Sequence, residues 1–259
     1  MTIGPQSSEQ RGEPWLMRPR PRSAAAVRLF CFPYAGGGAA IYRGWPDGLP
    51  GTIEVCAVAL PGRGGRLGEV PYRELFPLVK TLSDALLPTL DRPFAFFGHS
   101  MGALVAFELA RLLRRQHRPT PAHLFVSGRA APQLRRASST IHRLPREGFL
   151  EGLRLLNGTP PEVLGNAELL EVVLPALHAD FTVCAEYRYA PDAPLECPIS
   201  AFGGDEDPEV AEEDVGAWRD QTMRAFSMRI FAGDHFFLRS TQREVLRAVA
   251  APLCAHSTS

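Results

Sequence analysis

The serine at the centre of Gly98-His99-Ser100-Met101-Gly102 has the surroundings of a nucleophile. The pentapeptide matches G-x-S-x-G, the pattern of a sharp turn that joins a strand to a helix and exposes the serine hydroxyl. An apolar run precedes it and a helical pattern follows it, which is the context that the turn requires. Glycines at both ends remove β-carbons where strand and helix approach most closely. We therefore predict Ser100 as the nucleophile and Gly98 and Gly102 as the turn glycines, against the alternative of a surface serine in a tight turn.

A serine hydroxyl is a poor nucleophile at neutral pH and needs a base beside it. In hydrolases with this turn the chain order is serine, then acid, then histidine, so the base is sought after Ser100. His235 follows an apolar run and lies between small residues and two phenylalanines in Gly233-Asp234-His235-Phe236-Phe237. For the other histidines a structural role is the expectation. The sequence therefore predicts His235 as the general base.

The acid that orients this histidine is expected after the preceding apolar run, where three carboxylates occur close together. They are Asp205, Glu206 and Asp207, which follow two glycines and precede a proline. The spacing from the glycines and the turn-forming proline favour Asp207. Asp205 is the alternative, although a carboxylate at that position can instead accept hydrogen bonds from the backbone amides of its own loop.

Donors for the oxygen of a reacting carbonyl are expected from two places. One is the amide of Met101, because the first amides of a helix have no partner within the helix and favour negative charge. The other is the glycine-rich loop at residues 32–38, in which we select the Ala35 amide. A glycine-rich loop can also hold phosphate, but neither of the glycine patterns that bind nucleotides is present. We expect no cofactor and no metal.

The composition argues against several function classes. Lysine plus arginine and aspartate plus glutamate each number 28, so the formal net charge is zero, and no basic stripe typical of a nucleic-acid binder is evident. No apolar run approaches the about 20 residues of a membrane span, and the polar start of the chain does not read as a secretory signal. The five cysteines include no C-x-x-C pair, which indicates free thiols in a reducing compartment. We expect a cytoplasmic monomer with no nucleic-acid or membrane partner.

Short apolar runs alternate with helical patterns along most of the chain, which predicts an α/β fold with a mainly parallel sheet and helices on both faces. The runs lie near residues 27–32, 53–60, 93–97, 123–127, 198–202 and 227–231. Residues 143–190 show helical patterns and no clear strand, which favours a helical lid over plain crossover helices. We therefore predict a mobile N-terminal arm at 1–22, with an apolar triplet at 15–17 that could pin part of it. The core is predicted at 23–142 and 191–259, with the lid at 143–190.

These segments together resemble the type II thioesterases that accompany polyketide synthases and nonribosomal peptide synthetases in antibiotic biosynthesis. The resemblance extends from about residue 15 to about residue 249. Its specific parts are residues 29–38, 60–63, 98–103, 157–164, 174–181 and 233–237. The stretches 32–37 and 233–237 are more specific than the serine pentapeptide. The chain departs from the family after Arg63, where an acidic residue near Gly65 is often present, so the pairing within this loop stays open.

The resemblance implies an α/β-hydrolase fold and a serine thioester hydrolase that needs no cofactor. Its partner would be an acyl or peptidyl carrier protein, whose phosphopantetheine-bound acyl group is released through an acyl-Ser100 intermediate. In the family this reaction clears stalled or wrongly primed synthases. The alternatives are a generic esterase or lipase on small esters, an acyltransferase or cyclase, and a non-catalytic scaffold that binds carriers. Because carrier proteins are usually acidic, Arg143 and Arg146 are candidate docking residues, with a solvated charged surface as the alternative.

Overall fold

Apolar runs of the sequence form the strands of one sheet in the computed structural model of the protein, which describes residues 14–134 and 140–255. The strands are β1 (Leu16–Met17), β2 (Val27–Phe32), β3 (Ile53–Val58), β4 (Phe94–His99), β5 (His123–Ser127), β6 (Ile199–Gly204) and β7 (Phe226–Phe231). Their order is β1-β3-β2-β4-β5-β6-β7. The strands β2 to β7 run parallel, and β1 is antiparallel to β3. This confirms the predicted mainly parallel sheet.

Helices follow most of the strands, as the alternating pattern predicted. They are α1 (Leu75–Leu86), α2 (Met101–Arg115), α3 (Arg146–Leu155), α4 (Pro161–Leu164), α5 (Ala167–Glu186), α6 (Glu212–Gly216), α7 (Phe237–Ser240) and α8 (Gln242–Ala255). Short 3₁₀ turns lie in several of the connections. In the described part of the chain, no helix has the length and apolar character needed to cross a membrane.

Alternate residues of the central strands divide between two apolar cores. Phe30 and Phe96 pack with α1 and α2 on one face of the sheet, whereas Leu29 and Phe97 pack with α8 on the other. All four side chains are fully buried. Because both faces are covered, each strand tolerates an apolar residue at nearly every position, which is why the strands read as continuous apolar runs.

The described part of the predicted N-terminal arm, residues 14–22, packs on the body. The pairing of β1 with β3 adds an edge strand to the sheet. The guanidinium carbon of Arg66 lies 3.7 Å from the centre of the Trp15 ring. Arg22 donates hydrogen bonds to the carbonyls of Pro46, Pro50 and Ile53 at 2.8, 2.5 and 2.7 Å. Residues 14–22 therefore contact the folded body, the mobility of the arm stays a prediction, and residues 1–13 lie outside the described residues.

The segment predicted as a lid, residues 143–190, carries α3, α4 and α5 between β5 and β6. These helices pack through a small apolar cluster of their own around Phe149, Leu153 and Leu177. Leu177 also touches the loop after β2, since a β-carbon at Gly36 would lie 2.3 Å from its Cδ2 atom. The segment thus covers the carboxyl ends of the parallel strands, and its opening as a lid stays a prediction.

The contacts of Arg22 generate the first testable prediction. Substitution Arg22→Ala leaves several backbone carbonyls without their charged donor, and we expect the free energy of unfolding to fall by about 1–3 kcal/mol. Arg43 is exposed and serves as the matched control, with an expected change within about 0.5 kcal/mol for Arg43→Ala. Urea unfolding followed by circular dichroism measures both. Equal stability of the two variants would contradict a structural role for the segment.

Candidate active site

Ser100 lies in a strained turn between β4 and α2. Its φ is 52° and its ψ is −114°, a backbone conformation that residues with a side chain rarely adopt. A β-carbon at Gly98 would come within 2.1 Å of the Gly102 carbonyl oxygen, and one at Gly102 within 2.1 Å of the Phe32 carbonyl oxygen. The Ser100 amide donates to the carbonyl of Ser127 at 2.8 Å. Both glycines are therefore required by backbone contacts, and Ser100 has the setting that the sequence predicted for it.

His235 is held by Asp207 from the neighbouring loop. The Nδ1 atom of His235 lies 2.8 Å from Oδ2 of Asp207, and the Asp207 side chain is fully buried. The other carboxylate oxygen of Asp207 accepts the amides of Glu209 and Val210 at 2.8 and 3.3 Å. Because an ionised carboxylate only accepts hydrogen bonds, the ring proton lies on Nδ1, which leaves the lone pair on Nε2 to act as a base.

Asp205, the alternative acid, has a different position. Its Oδ1 atom accepts the amide of Gly233 at 2.8 Å, so it ties the loop after β6 to the loop after β7. These loops are so close that a β-carbon at Gly204 would lie 2.4 Å from the Gly233 carbonyl oxygen. The geometry therefore favours Asp207 over Asp205 as the partner of His235.

The environment of His235 raises its pKa. Burial of the ring acts in the opposite direction and lowers the pKa, but the hydrogen bond to Asp207 and the negative charges of Glu209 and Asp207 outweigh it. Arg129 lowers the pKa by a smaller amount. Sequence reasoning missed Glu209 and Arg129, because no motif marks them and they lie near the ring only after β5 and β6 pair.

A second histidine, His99, packs next to His235. The His99 ring is fully buried, with its Nδ1 atom 2.9 Å from the Ser127 hydroxyl oxygen. Its ring centre lies 5.2 Å from that of His235. Burial lowers the pKa of His99 well below its usual value, and the nearby His235 lowers it further. His99 is therefore neutral and packs beside the His235 ring, which fits the structural role expected for it.

One amide of the loop after β2 has no acceptor within the described residues. The Gly36 amide donates to Oδ2 of Asp180 at 2.7 Å, and the Gly37 amide donates to the Tyr34 carbonyl at 2.9 Å. Of these three successive amides, Ala35 is the one with no acceptor in the part of the chain that the structure describes. Ala35 lines the same cavity as Ser100. This arrangement suits the donor role predicted for Ala35, together with Met101 at the first position of α2.

Ser100 and His235 open into a cavity of about 970 Å³. Its walls include apolar side chains of α3 and α5, among them Leu153, Leu177 and Phe181. Polar side chains, including Arg129 and Glu209, also line it, as does Cys184. Removal from water raises the pKa of the Cys184 thiol to about 11. The volume and the mixed lining are typical of a site for an organic ligand of intermediate size.

The arrangement is suited to acyl transfer. It brings a strained serine and a histidine held by a carboxylate to one partly apolar cavity, which the Ala35 backbone also lines. Within the described residues there is no group of three or more His, Cys, Asp or Glu side chains that could hold a metal ion.

Known proteins resemble this chain over nearly its whole length. A family model described as a thioesterase domain matches residues 27–253. The gramicidin S biosynthesis protein GrsT of Aneurinibacillus migulanus is 49% identical over 245 residues, which cover 92% of this chain and 96% of the relative. Thioesterase PikA5 of Streptomyces venezuelae is 38% identical over 237 residues, which cover 91% of this chain and 84% of the relative.

Solved structures agree with this result. The type II thioesterase BorB from the borrelidin biosynthetic cluster matches with a TM-score of 0.84 and 38% identity, covering 92% of this chain and 96% of that one. The match confirms the predicted α/β-hydrolase fold, because both the sheet and the helices around it are shared over almost the full length of both chains.

The backbone contacts at the turn glycines yield a stability prediction. We expect Gly98→Ala to lower the free energy of unfolding by about 3 kcal/mol or more, because its β-carbon would overlap backbone atoms that cannot move aside. A β-carbon at Gly51 meets nothing within 4 Å, so Gly51→Ala is the control, with an expected change within about 0.5 kcal/mol. Chemical unfolding measures both. A Gly98→Ala protein as stable as the control would contradict the close approach of β4 and α2.

The charges around His235 yield a prediction on its pKa. Glu209→Gln removes a negative charge and is expected to lower the pKa of His235, whereas Arg129→Gln removes a positive charge and is expected to raise it. Glu206→Gln, in the same loop, is the control, since Glu206 is not among the groups that shift this pKa. Nuclear magnetic resonance titration of the imidazole measures each shift. Shifts of the same sign for Glu209→Gln and Arg129→Gln would contradict this electrostatic account.

Proposed function

The chain belongs to the thioesterase family, and we propose that it is a type II, or editing, thioesterase of polyketide synthase or nonribosomal peptide synthetase pathways. Its substrates would be acyl groups on the phosphopantetheine arm of acyl or peptidyl carrier proteins. One observation carries this proposal: Ser100 and the Asp207-bound His235 open into a single large cavity with apolar walls. Three relatives support it: GrsT is named a gramicidin S biosynthesis protein, PikA5 a thioesterase, and BorB a type II thioesterase from the borrelidin biosynthetic cluster.

The first half of the proposed reaction forms an acyl-serine. His235 Nε2 takes the proton of the Ser100 hydroxyl as its oxygen attacks the thioester carbonyl carbon. The resulting oxyanion accepts hydrogen bonds from the amides of Ala35 and Met101. When the carbon–sulfur bond breaks, His235 returns its proton to the departing sulfur, so the carrier arm leaves as a free thiol. Asp207 holds the ring and stabilises the imidazolium that forms.

The second half of the reaction releases the acid. A water molecule attacks the acyl-Ser100 carbonyl while His235 Nε2 takes one of its protons. The same two amides hold the second oxyanion. Collapse of this intermediate breaks the bond to Ser100, and His235 returns the proton to the serine oxygen. The products are a free carboxylic acid and the enzyme in its starting state.

The proposed acyl site is the apolar wall of the cavity. It is formed by α3 and α5, which belong to the segment at 143–190 that we propose as a lid. Leu177 is buried against the loop after β2, while Leu155 is 80% exposed on the outer side of α3. The apolar side chains of this segment line the cavity. An acyl chain that binds there displaces water from apolar surface, which is favourable.

The proposed docking role of Arg143 and Arg146 is weakened by their partners. Arg143 donates to Glu186 at 2.6 Å, and Arg146 forms an ion pair with Glu171. Each arginine is thus offset by a carboxylate before any carrier arrives, which favours the alternative of a solvated charged surface. We propose no docking surface from these two residues.

The proposal also includes the compartment and the assembly state. The cysteines of the described residues are free thiols, which supports the cytoplasm, because disulfides rarely persist there. We propose that the protein acts there as a monomer that approaches its carrier from solution.

The serine mechanism makes a direct prediction. We expect Ser100→Ala to lower the turnover of acyl-carrier substrates by about 10⁴-fold or more, as loss of such a nucleophile generally does. Ser227→Ala is the matched control, since Ser227 lies exposed on β7, and it should retain full activity. The assay uses a panel of acyl-loaded carrier domains with the released acids identified by mass spectrometry. Retained hydrolysis by Ser100→Ala would reject the assignment.

The same panel separates the alternatives. Comparison with nitrophenyl esters tests for a generic esterase, and added amine or hydroxyl acceptors test for an acyltransferase or cyclase. A fluorophosphonate probe that fails to label Ser100 in the wild-type protein would favour a non-catalytic scaffold. Faster turnover of small oxygen esters than of every carrier-bound thioester would contradict the proposed function.

A further inference from the structure

A buried ion pair joins three parts of the chain at the edge of the cavity. Arg63, in the loop after β3, donates from Nη1 to Oδ2 of Asp180 at 2.5 Å and from Nη2 to Oδ1 at 2.8 Å. The pairing is bidentate, which fixes orientation as well as distance. The side chains are 11% and 4% exposed. Asp180 lies on α5, so the pair ties the lid segment to the core.

The same pair holds the loop that carries the Ala35 amide. Asp180 Oδ2 accepts the Gly36 amide at 2.7 Å, and Arg63 Nη1 donates to the Gly37 carbonyl at 3.2 Å. Gly36 has a φ of +78° and packs directly against Leu177 of α5. The peptide units on the C-terminal side of Ala35 are thus held by these two polar contacts and by one apolar contact.

The direction of the Ala35 N–H depends on these peptide units. If the Gly36 amide were free of Asp180, it would compete with Ala35 as a donor, and the turn would lose the contact that fixes its orientation. An oxyanion donor must be placed within a few tenths of an ångström, and misplacement by about 1 Å can cost about 100-fold in rate. Asp180 and Arg63 do not line the cavity beside Ser100, so any effect on the reaction passes through the loop.

We propose that Asp180 and Arg63 are positioning residues that set the Ala35 amide for the oxyanion and make its placement depend on the seating of α5. This inference rests on the proposed acyl-serine chemistry and adds to it a link between the acyl site and the oxyanion site. Leu177 and Phe181, one on each side of Asp180 along α5, line the cavity. An acyl chain that contacts α5 therefore acts on the helix that holds the loop.

A second buried pair provides a matched control. Arg28 and Glu54 pair at 2.8 Å at the opposite end of β2 and β3, and their side chains are likewise 11% and 4% exposed. Glu54→Gln should weaken the fold as Asp180→Asn does, since both changes remove the charge from one member of a buried pair. Glu54 lies at the amino ends of the strands, away from the cavity, so Glu54→Gln should leave kcat unchanged.

The test compares Asp180→Asn, Arg63→Gln and Glu54→Gln with the wild-type protein below their unfolding temperatures. We expect Asp180→Asn and Arg63→Gln to lower kcat on acyl-carrier substrates by about 10- to 100-fold with KM changed less than about threefold. Binding of a trifluoromethyl ketone, which forms an oxyanion on Ser100, should weaken by the same factor. Binding of an unreactive amide of the same chain length should change less than about twofold, because it makes no oxyanion.

Arg63→Lys adds a variant that keeps the charge, and it should fall between the wild-type protein and Arg63→Gln. If Asp180→Asn does not fold, Arg63→Gln tests the same link. The inference is overturned if both neutral variants lose thermal stability as Glu54→Gln does but keep kcat and ketone affinity within twofold of the wild type. Failure of the proposed function is a separate outcome. In that case the wild-type protein would not hydrolyse carrier-bound thioesters, while fluorophosphonate labelling rates of Ser100 would still report the effect of each variant on the oxyanion site.

Discussion

Three stretches of backbone meet at Ser100 with no space for a side chain between them. The end of β4, the start of α2 and the end of β2 approach so closely that glycine is required at residues 98 and 102. Because the Phe32 carbonyl lies against Gly102, the loop that follows β2 is held against the start of α2. The donor amides proposed at Ala35 and Met101 are thereby fixed relative to the serine before any substrate binds. The strained φ of Ser100 is maintained by this packing.

The two buried histidines of the site differ in the direction of their pKa shifts. His99 and His235 lie with their rings 5.2 Å apart, yet their pKa values are shifted in opposite directions. Burial dominates at His99, which has the neutral Ser127 hydroxyl as its polar partner, whereas Asp207 and Glu209 supply negative charge at His235. His235 therefore accepts a second ring proton more readily than His99 does. Groups whose environments separate their pKa values in this way are a general mark of acid–base sites.

Structural features that depend on residues close together in the sequence could be predicted. The strand before Ser100, the helix after it and the glycine positions are local, so the turn at Ser100 and the order of elements could be predicted. His235 and Asp207 follow from the chain order of such sites together with the loops after β6 and β7. The contact of Asp180 with Gly36 could not be predicted, because 144 residues separate the two and only the packing of α5 brings them together. The edge strand β1 was missed because its two residues are too short a pattern to detect.

Cys184 has a consequence for which nucleophile receives the acyl group. A bound thioester would place an activated carbonyl in a cavity that this sulfur also lines. Exchange of the acyl group onto a cysteine requires the thiolate, and a thiol whose pKa is raised to about 11 is almost entirely protonated at neutral pH. The serine, although intrinsically the weaker nucleophile, has His235 as its proposed base. A thioester can therefore bind beside the Cys184 thiol without transferring its acyl group to that sulfur.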